Sequence, residues 1–320
     1  MANPVVILST DNPQMAYDIV SKDHPDLSIH TCDSFAALPA LVAETQAEAI
    51  YSLRFSNELF PRKAMVEQDC VKWVSVAGSG IDHLQPWDPH TVTVTNAAGV
   101  ADDMMAEYCL AGMLHFSLDL HGLAQAQANH TWVAAKVTPI AGKTVLIIGL
   151  GATGKAVARN CKAMSMNVIG VRARPQETDN CDEVHEMDHL PQLWPRADFV
   201  VICVPKLPST QHLMDRQAFE LLPQHAVIMN VARGGVVDEQ ALLKALQEKA
   251  IKGGLFDVFA SEPLPADSPL WDQPNLIISP HCSAVYDGWE EKSLQMFSDN
   301  LRRYRQGETL NNIVNPGRGY

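Results

Sequence analysis

The chain reads Gly142-Lys-Thr-Val-Leu-Ile-Ile-Gly-Leu-Gly-Ala-Thr-Gly154 near its middle, and this stretch decides the fold. Residues 144–148 are β-branched or apolar and predict a buried strand. The G-x-G-x-x-G spacing that follows is typical of a turn that binds a dinucleotide. Its first glycine makes the turn, its second lets the backbone approach a pyrophosphate, and its third lets a helix pack on the strand. Because amides at a helix N-terminus favour an anionic phosphate, the residues predicted to contact a cofactor here are Gly149, Gly151, Ala152, Thr153 and Gly154.

The residues around these glycines separate two explanations of the pattern. Glycine-rich turns between a strand and a helix also occur for packing reasons alone. Here residues 155–164 have helical spacing, and the apolar run at residues 167–171 supplies the next strand. A strand, a glycine turn, a helix and a second strand form a βαβ unit, and this context favours dinucleotide binding.

Length and composition exclude several classes of protein. A chain of 320 residues is long for one core, so two domains are expected. No apolar run is long enough to span a membrane, and the N-terminus lacks the basic region of a signal peptide. Seven scattered cysteines without a C-x-x-C pair suit reduced thiols and show no metal-ligand spacing, so we expect a cytoplasmic protein without a metal. The net charge of −13 argues against a nucleic-acid partner.

Short apolar runs alternate with helical patterns along the chain. The strand candidates of the first part are residues 5–8, 27–30, 49–53, 71–76 and 92–95, with helical patterns near 13–21, 34–44 and 58–68. The strand candidates after the glycine turn and its βαβ unit are residues 199–203, 226–230, 253–256 and 276–278. Such alternation is typical of parallel sheets covered by helices. We therefore predict an α/β fold with two doubly wound parallel-sheet domains.

Two longer helices are predicted outside this alternation. Residues 99–129 contain no proline and read as one long helix. A helix of this length is unusual inside a compact α/β domain, so we expect it to carry a homodimer contact or to connect two domains. A final helix is predicted from Trp289 to Arg305, and we expect it to return to the first domain.

Three polar segments follow strand candidates of the second half and carry Arg233, Glu262 and His281. Ligands of open α/β sheets bind beyond the carboxyl ends of the strands, so these side chains can converge on one crevice. A guanidinium group can hold a substrate carboxylate and polarise the adjacent carbonyl. A histidine can give a proton to the carbonyl oxygen as hydride reaches carbon, and a carboxylate beside it orients the ring and favours its protonated form. The three residue types therefore suit reduction of a 2-keto acid.

These motifs together resemble the D-isomer-specific 2-hydroxyacid dehydrogenase family over nearly the whole chain. Besides the glycine turn, the matching segments are Val76-Ala-Gly-Ser-Gly-Ile-Asp82, Thr95-Asn-Ala-Ala-Gly99, Ala106-Glu107, Val231-Ala-Arg-Gly-Gly235, Asp257-Val258, Glu262-Pro263 and Pro280-His281. The resemblance implies a flavodoxin-like substrate domain of residues 1–98 and 286–320 around a Rossmann coenzyme domain of residues 99–285. This arrangement explains why the glycine turn lies in mid-chain.

The resemblance also implies roles for single residues. It makes Arg233, Glu262 and His281 the catalytic trio, with Arg233 and His281 also touching the substrate. It assigns the backbone amides of Ser79 and Gly80 to the substrate carboxylate. The further cofactor-binding residues that it implies are Asp257, on the nicotinamide amide, and Val204, Pro205, Thr210, Val231 and Ala232.

Two departures from the family pattern leave the shape of the pocket open. Asp102 occupies a position often held by threonine near the nicotinamide, and residues 282–286 read Cys-Ser-Ala-Val-Tyr where small residues are usual. Neither departure removes a catalytic group.

The end of the second coenzyme-domain strand predicts which nicotinamide cofactor is used. NAD enzymes carry Asp or Glu there, about 20 residues past the glycines, to bond the ribose hydroxyls. This chain instead reads Val171-Arg-Ala-Arg-Pro175. An acidic side chain repels a 2′-phosphate, whereas arginine pairs with it. We therefore predict NADP(H) preferred over NAD(H), with Arg172 and Arg174 as the contacts; the alternative is that both are solvated surface arginines.

The predicted activity is reduction of a 2-keto acid to a D-2-hydroxy acid, and several alternatives stay open. The substrate is glyoxylate or hydroxypyruvate, or a larger aliphatic or aromatic 2-keto acid. A dinucleotide-sensing scaffold or corepressor on the same fold is the rival class, and the intact trio argues against it. Arg54 either reaches a second carboxylate or polar tail of the substrate or is simply exposed. Trp132 either closes the neighbouring subunit's pocket or caps the dimer helix.

Overall fold

The computed structural model describes residues 3–53, 59–134 and 137–317. The chain divides into two compact units, one made of Met1–Val100 with Asp287–Tyr320 and the other of Ala101–Tyr286. Within the described ranges, no helix has both the length and the apolar character that crossing a membrane requires. We call the first of the two compact units the small unit and the second the large unit.

The small unit is built on five parallel strands. They are β1 (Val5–Ser9), β2 (Ser28–Cys32), β3 (Ala49–Ser52), β4 (Trp73–Val76) and β5 (Thr93–Asn96). Their order across the sheet is β2-β1-β3-β4-β5, and every neighbouring pair is parallel. This order is that of flavodoxin-like doubly wound sheets. The helices of this unit are α1 (Pro13–Asp23), α2 (Leu38–Thr45), α3 (Arg62–Val66) and α10 (Trp289–Gln306).

Alternation along the strands gives the small sheet a core on each face. Val6 and Leu8 of β1 pack in the same cluster as Leu294 and Phe297 of α10. Ile7, between them, belongs to the cluster on the opposite face. Successive strand residues point to opposite faces of a sheet, so a strand with apolar residues at every position must be covered on both sides. The final helix predicted from Trp289 supplies one of these covers.

The large unit is built on seven parallel strands. They are β6 (Thr144–Ile148), β7 (Asn167–Val171), β8 (Glu183–His185), β9 (Phe199–Ile202), β10 (Val227–Asn230), β11 (Gly253–Phe256) and β12 (Leu276–Ile278). Their order is β12-β11-β10-β9-β6-β7-β8. The direction of winding reverses between β6 and β9, as in the Rossmann fold. The helices are α4 (Asp102–Leu118), α5 (Leu120–Ala128), α6 (Ala152–Ala163), α7 (Leu190–Leu193), α8 (Arg216–Leu221) and α9 (Glu239–Gln247). The predicted α/β class with two doubly wound sheets is confirmed.

The sequence patterns missed strand β8. It contains one apolar residue, Val184, and all three of its residues are partly exposed. It pairs only with β7, where Ile169 lies opposite Glu183. An edge strand is covered less than a central one, and β8 accordingly carries polar residues on both sides of Val184 and lacks the apolar run that identified β7 beside it.

The single helix predicted for residues 99–129 is wrong, because the structure has two helices there. Asp119 separates α4 from α5 and adopts a left-handed backbone conformation with φ +50°. Its side chain accepts a hydrogen bond from the Gly122 amide and so caps α5. Aspartate tolerates the left-handed region better than most residues, and its carboxylate satisfies an amide that the new helix leaves unpaired. No residue of α5 is buried.

Candidate active site

The glycine turn after β6 requires glycine at two positions for different reasons. Gly149 has φ +99°, and a Cβ there would lie 2.6 Å from the Cys203 carbonyl oxygen. A Cβ on Gly154 would lie 1.9 Å from the Gly149 carbonyl oxygen. A side chain at Gly149 would collide with the segment after β9, and one at Gly154 would separate helix α6 from the turn, since both contacts are far inside van der Waals distance. The approach of the turn to the end of β9 therefore depends on Gly149, and the close packing of α6 on the turn depends on Gly154.

The middle glycine faces open space instead. A Cβ on Gly151 would meet no atom within 4 Å. Gly151 precedes α6, whose N-terminus has no side-chain cap. The first amides of a helix lack intrahelical partners and carry partial positive charge. A side chain at position 151 would fill the open space beside these uncapped amides. Left open, the space suits the pyrophosphate of a dinucleotide.

The two arginines after β7 lie in different environments. The Arg172 backbone amide donates to the His185 carbonyl oxygen (3.0 Å), which continues the pairing of β7 with β8. Its Nη1 atom is buried, and within the described residues it has no hydrogen-bond partner. A buried guanidinium nitrogen without an acceptor is costly, so this position suits an anion. Arg174 is exposed.

Five residues assigned to the cofactor lie just beyond β9 and β10: Val204, Pro205, Thr210, Val231 and Ala232. The Thr210 hydroxyl donates to the Pro205 carbonyl oxygen (2.6 Å) and accepts from the Leu207 amide (2.8 Å). Thr210 is 7% exposed. Its side chain therefore closes the loop that follows β9, which is a structural role that the sequence motif does not reveal.

Arg233 sits in a turn that is braced by the last residue of β10. The Asn230 side chain accepts from the Ala232 amide (3.1 Å) and donates to the Arg233 carbonyl oxygen (3.2 Å). The Arg233 guanidinium donates to the Ala232 carbonyl oxygen (2.6 Å). A Cβ on Gly234 would lie 1.8 Å from the Phe259 carbonyl oxygen. The turn thus packs directly on the segment after β11, and only glycine allows that approach.

Glu262 and His281 form the central pair of the site. The His281 Nδ1 atom lies 2.7 Å from a Glu262 carboxylate oxygen. The other oxygen accepts from the Phe259 amide (2.9 Å). The side chains are 43% and 33% exposed, so both reach solvent. Burial alone raises the pKa of Glu262, but the hydrogen bonds from His281 and Phe259 and the nearby charges of His281 and Arg233 outweigh it, and the net pKa is lowered.

The chemistry of this pair follows from its geometry. The carboxylate holds one ring nitrogen of His281, so the other nitrogen is left to meet a reacting group. Three elements bring the trio together, because Arg233, Glu262 and His281 follow the carboxyl ends of β10, β11 and β12, which are neighbours in the sheet. The arrangement combines a cationic anchor for an anion with a histidine that can transfer a proton.

Asp257 has contacts that the sequence motifs did not predict. It is 1% exposed. One carboxylate oxygen accepts from the Ser279 hydroxyl (2.5 Å) and the Cys282 amide (2.8 Å), and the other accepts from the Ser283 amide (2.9 Å). These contacts bind the loop that carries His281, whereas the family resemblance assigns this carboxylate to the nicotinamide amide.

Asp102 lies beside the glycine turn. Its carboxylate accepts from the Thr153 hydroxyl (3.1 Å), which joins the N-terminus of α4 to the first turn of α6. Burial raises the pKa of Asp102, and the Thr153 hydrogen bond opposes this only in part. The residue that departs from the family's threonine therefore takes a partner from the helix that follows the glycine turn.

The small unit carries the other residues assigned to the substrate. Ser79 and Gly80 follow β4, and the Asn96 side chain braces their loop by donating to the Ser79 carbonyl oxygen (2.8 Å). Ser79 is exposed and Gly80 is partly exposed. Arg54, the predicted contact for a polar tail, lies outside the described residues.

Comparison with known proteins places the chain in a family. Residues 110–283, more than half of the chain, match the profile described as "D-isomer specific 2-hydroxyacid dehydrogenase, NAD binding domain". The chain belongs to the D-isomer-specific 2-hydroxyacid dehydrogenase family. The matched residues lie within the large unit, and they include the glycine turn, Arg233, Glu262 and His281.

Individual relatives extend this finding. A D-3-phosphoglycerate dehydrogenase of Methanocaldococcus jannaschii is 31% identical over 259 residues, covering 79% of this chain and 49% of the relative. A glyoxylate reductase of Pyrococcus horikoshii is 36% identical over 176 residues, covering 54% of this chain and 52% of the relative. The chain thus spans about half the length of these curated relatives. Among solved structures, a D-isomer-specific 2-hydroxyacid dehydrogenase of Xanthobacter autotrophicus in complex with NADPH and MES is 28% identical, covers all of both chains and has a TM-score of 0.88.

Proposed function

We propose that the protein reduces a 2-keto acid to a D-2-hydroxy acid with NADPH as hydride donor. The observation that carries the proposal is the 2.7 Å contact of His281 with Glu262, beside Arg233, at the carboxyl ends of three neighbouring strands. In this proposal the large unit is the coenzyme domain and the small unit is the substrate domain. Family membership supports the reaction class, and the D configuration rests on that membership.

Each residue of the trio has a distinct role in the proposed reaction. Arg233 binds the substrate carboxylate and polarises the keto group beside it. His281 donates a proton to the keto oxygen, and Glu262 holds the ring by its other nitrogen so that the donating nitrogen faces the substrate. The nicotinamide cofactor, when bound, supplies the hydride that reaches the keto carbon. The C–O bond order falls from two to one as the carbon gains hydride and the oxygen gains the proton.

The proposed cofactor contacts follow from the large unit. The glycine turn and the first turn of α6 hold the pyrophosphate, and the residues after β9 and β10 line the nicotinamide half. Arg172 pairs with the 2′-phosphate. This contact is supported by its buried nitrogen, which has no hydrogen-bond partner in the part of the chain that the structure describes, and by the absence of an acidic residue at this strand end. Arg174 is proposed as a second, exposed contact. A solved relative binds NADPH, which is consistent with this preference.

The proposed substrates are glyoxylate or hydroxypyruvate, with larger aliphatic or aromatic 2-keto acids as the alternative. A relative named glyoxylate reductase favours the small substrates. Ser79 and Gly80 are proposed to give backbone amides to the substrate carboxylate. Among the residues that the structure describes, no two cysteines form a disulfide, which supports the proposed cytoplasmic location.

The proposal is tested by a panel of 2-keto acids assayed for oxidation of NADPH and of NADH. We expect turnover with at least one acid and higher kcat/KM with NADPH, and chiral chromatography should show the D product. If the protein binds NADPH but oxidises neither cofactor with any acid, the proposed enzyme activity is wrong. That result would favour a dinucleotide-sensing scaffold.

Glu262→Gln should change the pH dependence of the reaction. The amide keeps the size of the side chain but removes the charge that favours the protonated imidazole. The alkaline limb of the kcat profile should therefore move to lower pH, and kcat near neutrality should fall about tenfold. Profiles of kcat from pH 5 to about 10 measure this. The control is Glu220→Gln, on the exposed surface of α8, which should keep the wild-type profile; an unmoved limb in Glu262→Gln would refute the assigned role.

We also propose a homodimer that uses the surface around α5. Helix α5 buries none of its residues, and Leu120, Leu123 and Trp132 are 45%, 37% and 101% exposed. Exposed apolar surface of this kind favours association. Leu123→Asp should convert a dimer of 35.1 kDa chains into monomers, measured by light scattering after size exclusion. Leu221→Asp, an equally exposed leucine on α8, is the matched control and should stay dimeric; a wild-type monomer would overturn the proposal.

A further inference from the structure

A series of hydrogen-bonded side chains runs from Asp257 through Ser279 to helix α4. We infer that Tyr108, on α4, is a positioning residue that sets the place of His281 by way of Ser279 and Asp257. The inference rests on the proposed reductase function, because it assigns His281 as the proton donor. Tyr108 lies 171 residues from Ser279 in the sequence, and no motif in the chain connects the two.

The first part of this link is the set of hydrogen bonds by which Asp257 fixes the loop of residues 279–283. Its two carboxylate oxygens accept from Ser279, Cys282 and Ser283, so they bind the chain on both sides of His281. The Asp257 backbone takes part as well, because its carbonyl oxygen accepts from the His281 amide (2.9 Å). A buried carboxylate that accepts several hydrogen bonds is a strong local constraint.

The constraint matters because His281 has an unusual backbone. Its φ is +53°, in the left-handed region that residues other than glycine adopt at a cost. A residue in that region keeps its conformation only where its surroundings require it. The ring is held by Glu262 and the backbone by Asp257, so both are needed to place the proton-donating nitrogen.

The second step is the link to Tyr108, whose hydroxyl is hydrogen-bonded to the Ser279 hydroxyl. Ser279 uses its single proton to donate to Asp257, so it accepts from Tyr108, and the bonds run from Tyr108 to Ser279 to Asp257. Burial and the nearby Asp257 charge raise the pKa of Tyr108 to about 12, so its hydroxyl stays protonated and able to donate. A chain of bonds in one direction polarises each member and strengthens the whole.

Tyr108→Phe tests the inference, because it removes the hydroxyl and keeps the ring. Loss of one hydrogen bond in this chain should lower kcat about 3- to 10-fold, with KM for NADPH unchanged within about twofold. Ser279→Ala should lower kcat at least as much. The double variant should be no slower than the slower single variant, because both changes break the same chain.

A second set of variants distinguishes a positioning role of Tyr108 from a general loss of rigidity in the protein. In a protein that already carries His281→Gln, Tyr108→Phe should not lower the residual kcat further, since there is no proton donor left to position. The matched control is Tyr304→Phe, which removes another partly buried hydroxyl whose hydrogen bond goes to Glu48 in the small unit. This control should keep the wild-type kcat.

Amide hydrogen exchange tests the same contacts without any assay of activity. Tyr108→Phe should speed exchange at Cys282 and Ser283, whose amides donate to Asp257, by about 3- to 10-fold, and Tyr304→Phe should not. Faster exchange in a protein that reduces no 2-keto acid would support the link and overturn the proposed function alone. Unchanged exchange, an unchanged kcat in an active enzyme, or an equal loss in the His281→Gln background would overturn the inference.

Discussion

Replacing His281 with Gln is expected to lower kcat for 2-keto acid reduction roughly 100- to 10,000-fold, the range that general acid catalysis contributes. The glutamine amide can still hydrogen-bond Glu262, but it has no proton to give to the keto oxygen. Binding of NADPH should stay within about threefold of wild type, because the glycine turn and Arg172 are unchanged. The loss should therefore appear in kcat and kcat/KM together.

Stopped-flow single turnovers and titration of NADPH fluorescence measure the two quantities separately. His225→Gln is the control, since His225 precedes β10 at the end of the strand opposite Arg233 and its side chain is 60% exposed. That variant should reduce the substrate at the wild-type rate. A His281→Gln protein with near-normal kcat would show that another group donates the proton.

Replacing Arg172 with Asp is expected to reverse the cofactor preference. The variant loses a charged hydrogen bond to the 2′-phosphate and places a negative charge near it. A hydrogen bond to a charged group contributes about 1.5–3 kcal/mol, so kcat/KM with NADPH should fall about 10- to 150-fold or more. The new carboxylate can accept from the ribose hydroxyls of NADH, as the acidic residue of NAD enzymes does, so kcat/KM with NADH should hold or rise.

The ratio of the two kcat/KM values, measured at low and high salt, is the deciding quantity. Salt should weaken the wild-type preference for NADPH, because screening reduces attraction between partly exposed charges. Arg216→Asp, at the exposed start of α8, changes the charge equally and should keep the wild-type ratio. Equal losses with both cofactors in Arg172→Asp would contradict a contact with the 2′-phosphate. Arg172→Ser removes the guanidinium without adding a negative charge. It therefore distinguishes loss of the contact from repulsion between the new carboxylate and the 2′-phosphate.

Local patterns predicted most of the strands, because each core strand is a short apolar run between turn residues. Strands β6, β7, β11 and β12 begin and end where the sequence placed them. The glycine turn was equally predictable, since its glycine spacing lies within six consecutive residues, 149–154. Strand β8 and the break at Asp119 were not predictable in this way. The first depends on pairing with β7, and the second depends on one backbone conformation that a helical pattern does not encode.

The sequence by itself determined the class of fold, the family and the three residues that suit proton and carboxylate chemistry. Each of these depends on residue type and short spacing, which the chain carries without folding. Only the tertiary structure decided what surrounds them: the buried Arg172 nitrogen, which has no partner among the described residues, the hydrogen bonds of Asp257 to the His281 loop, and the contact of Tyr108 with Ser279. Hydrogen bonds between distant residues depend on where packing places each group to within a few tenths of an ångström. That placement is a property of the packed sheet and helices, and no short stretch of sequence contains it.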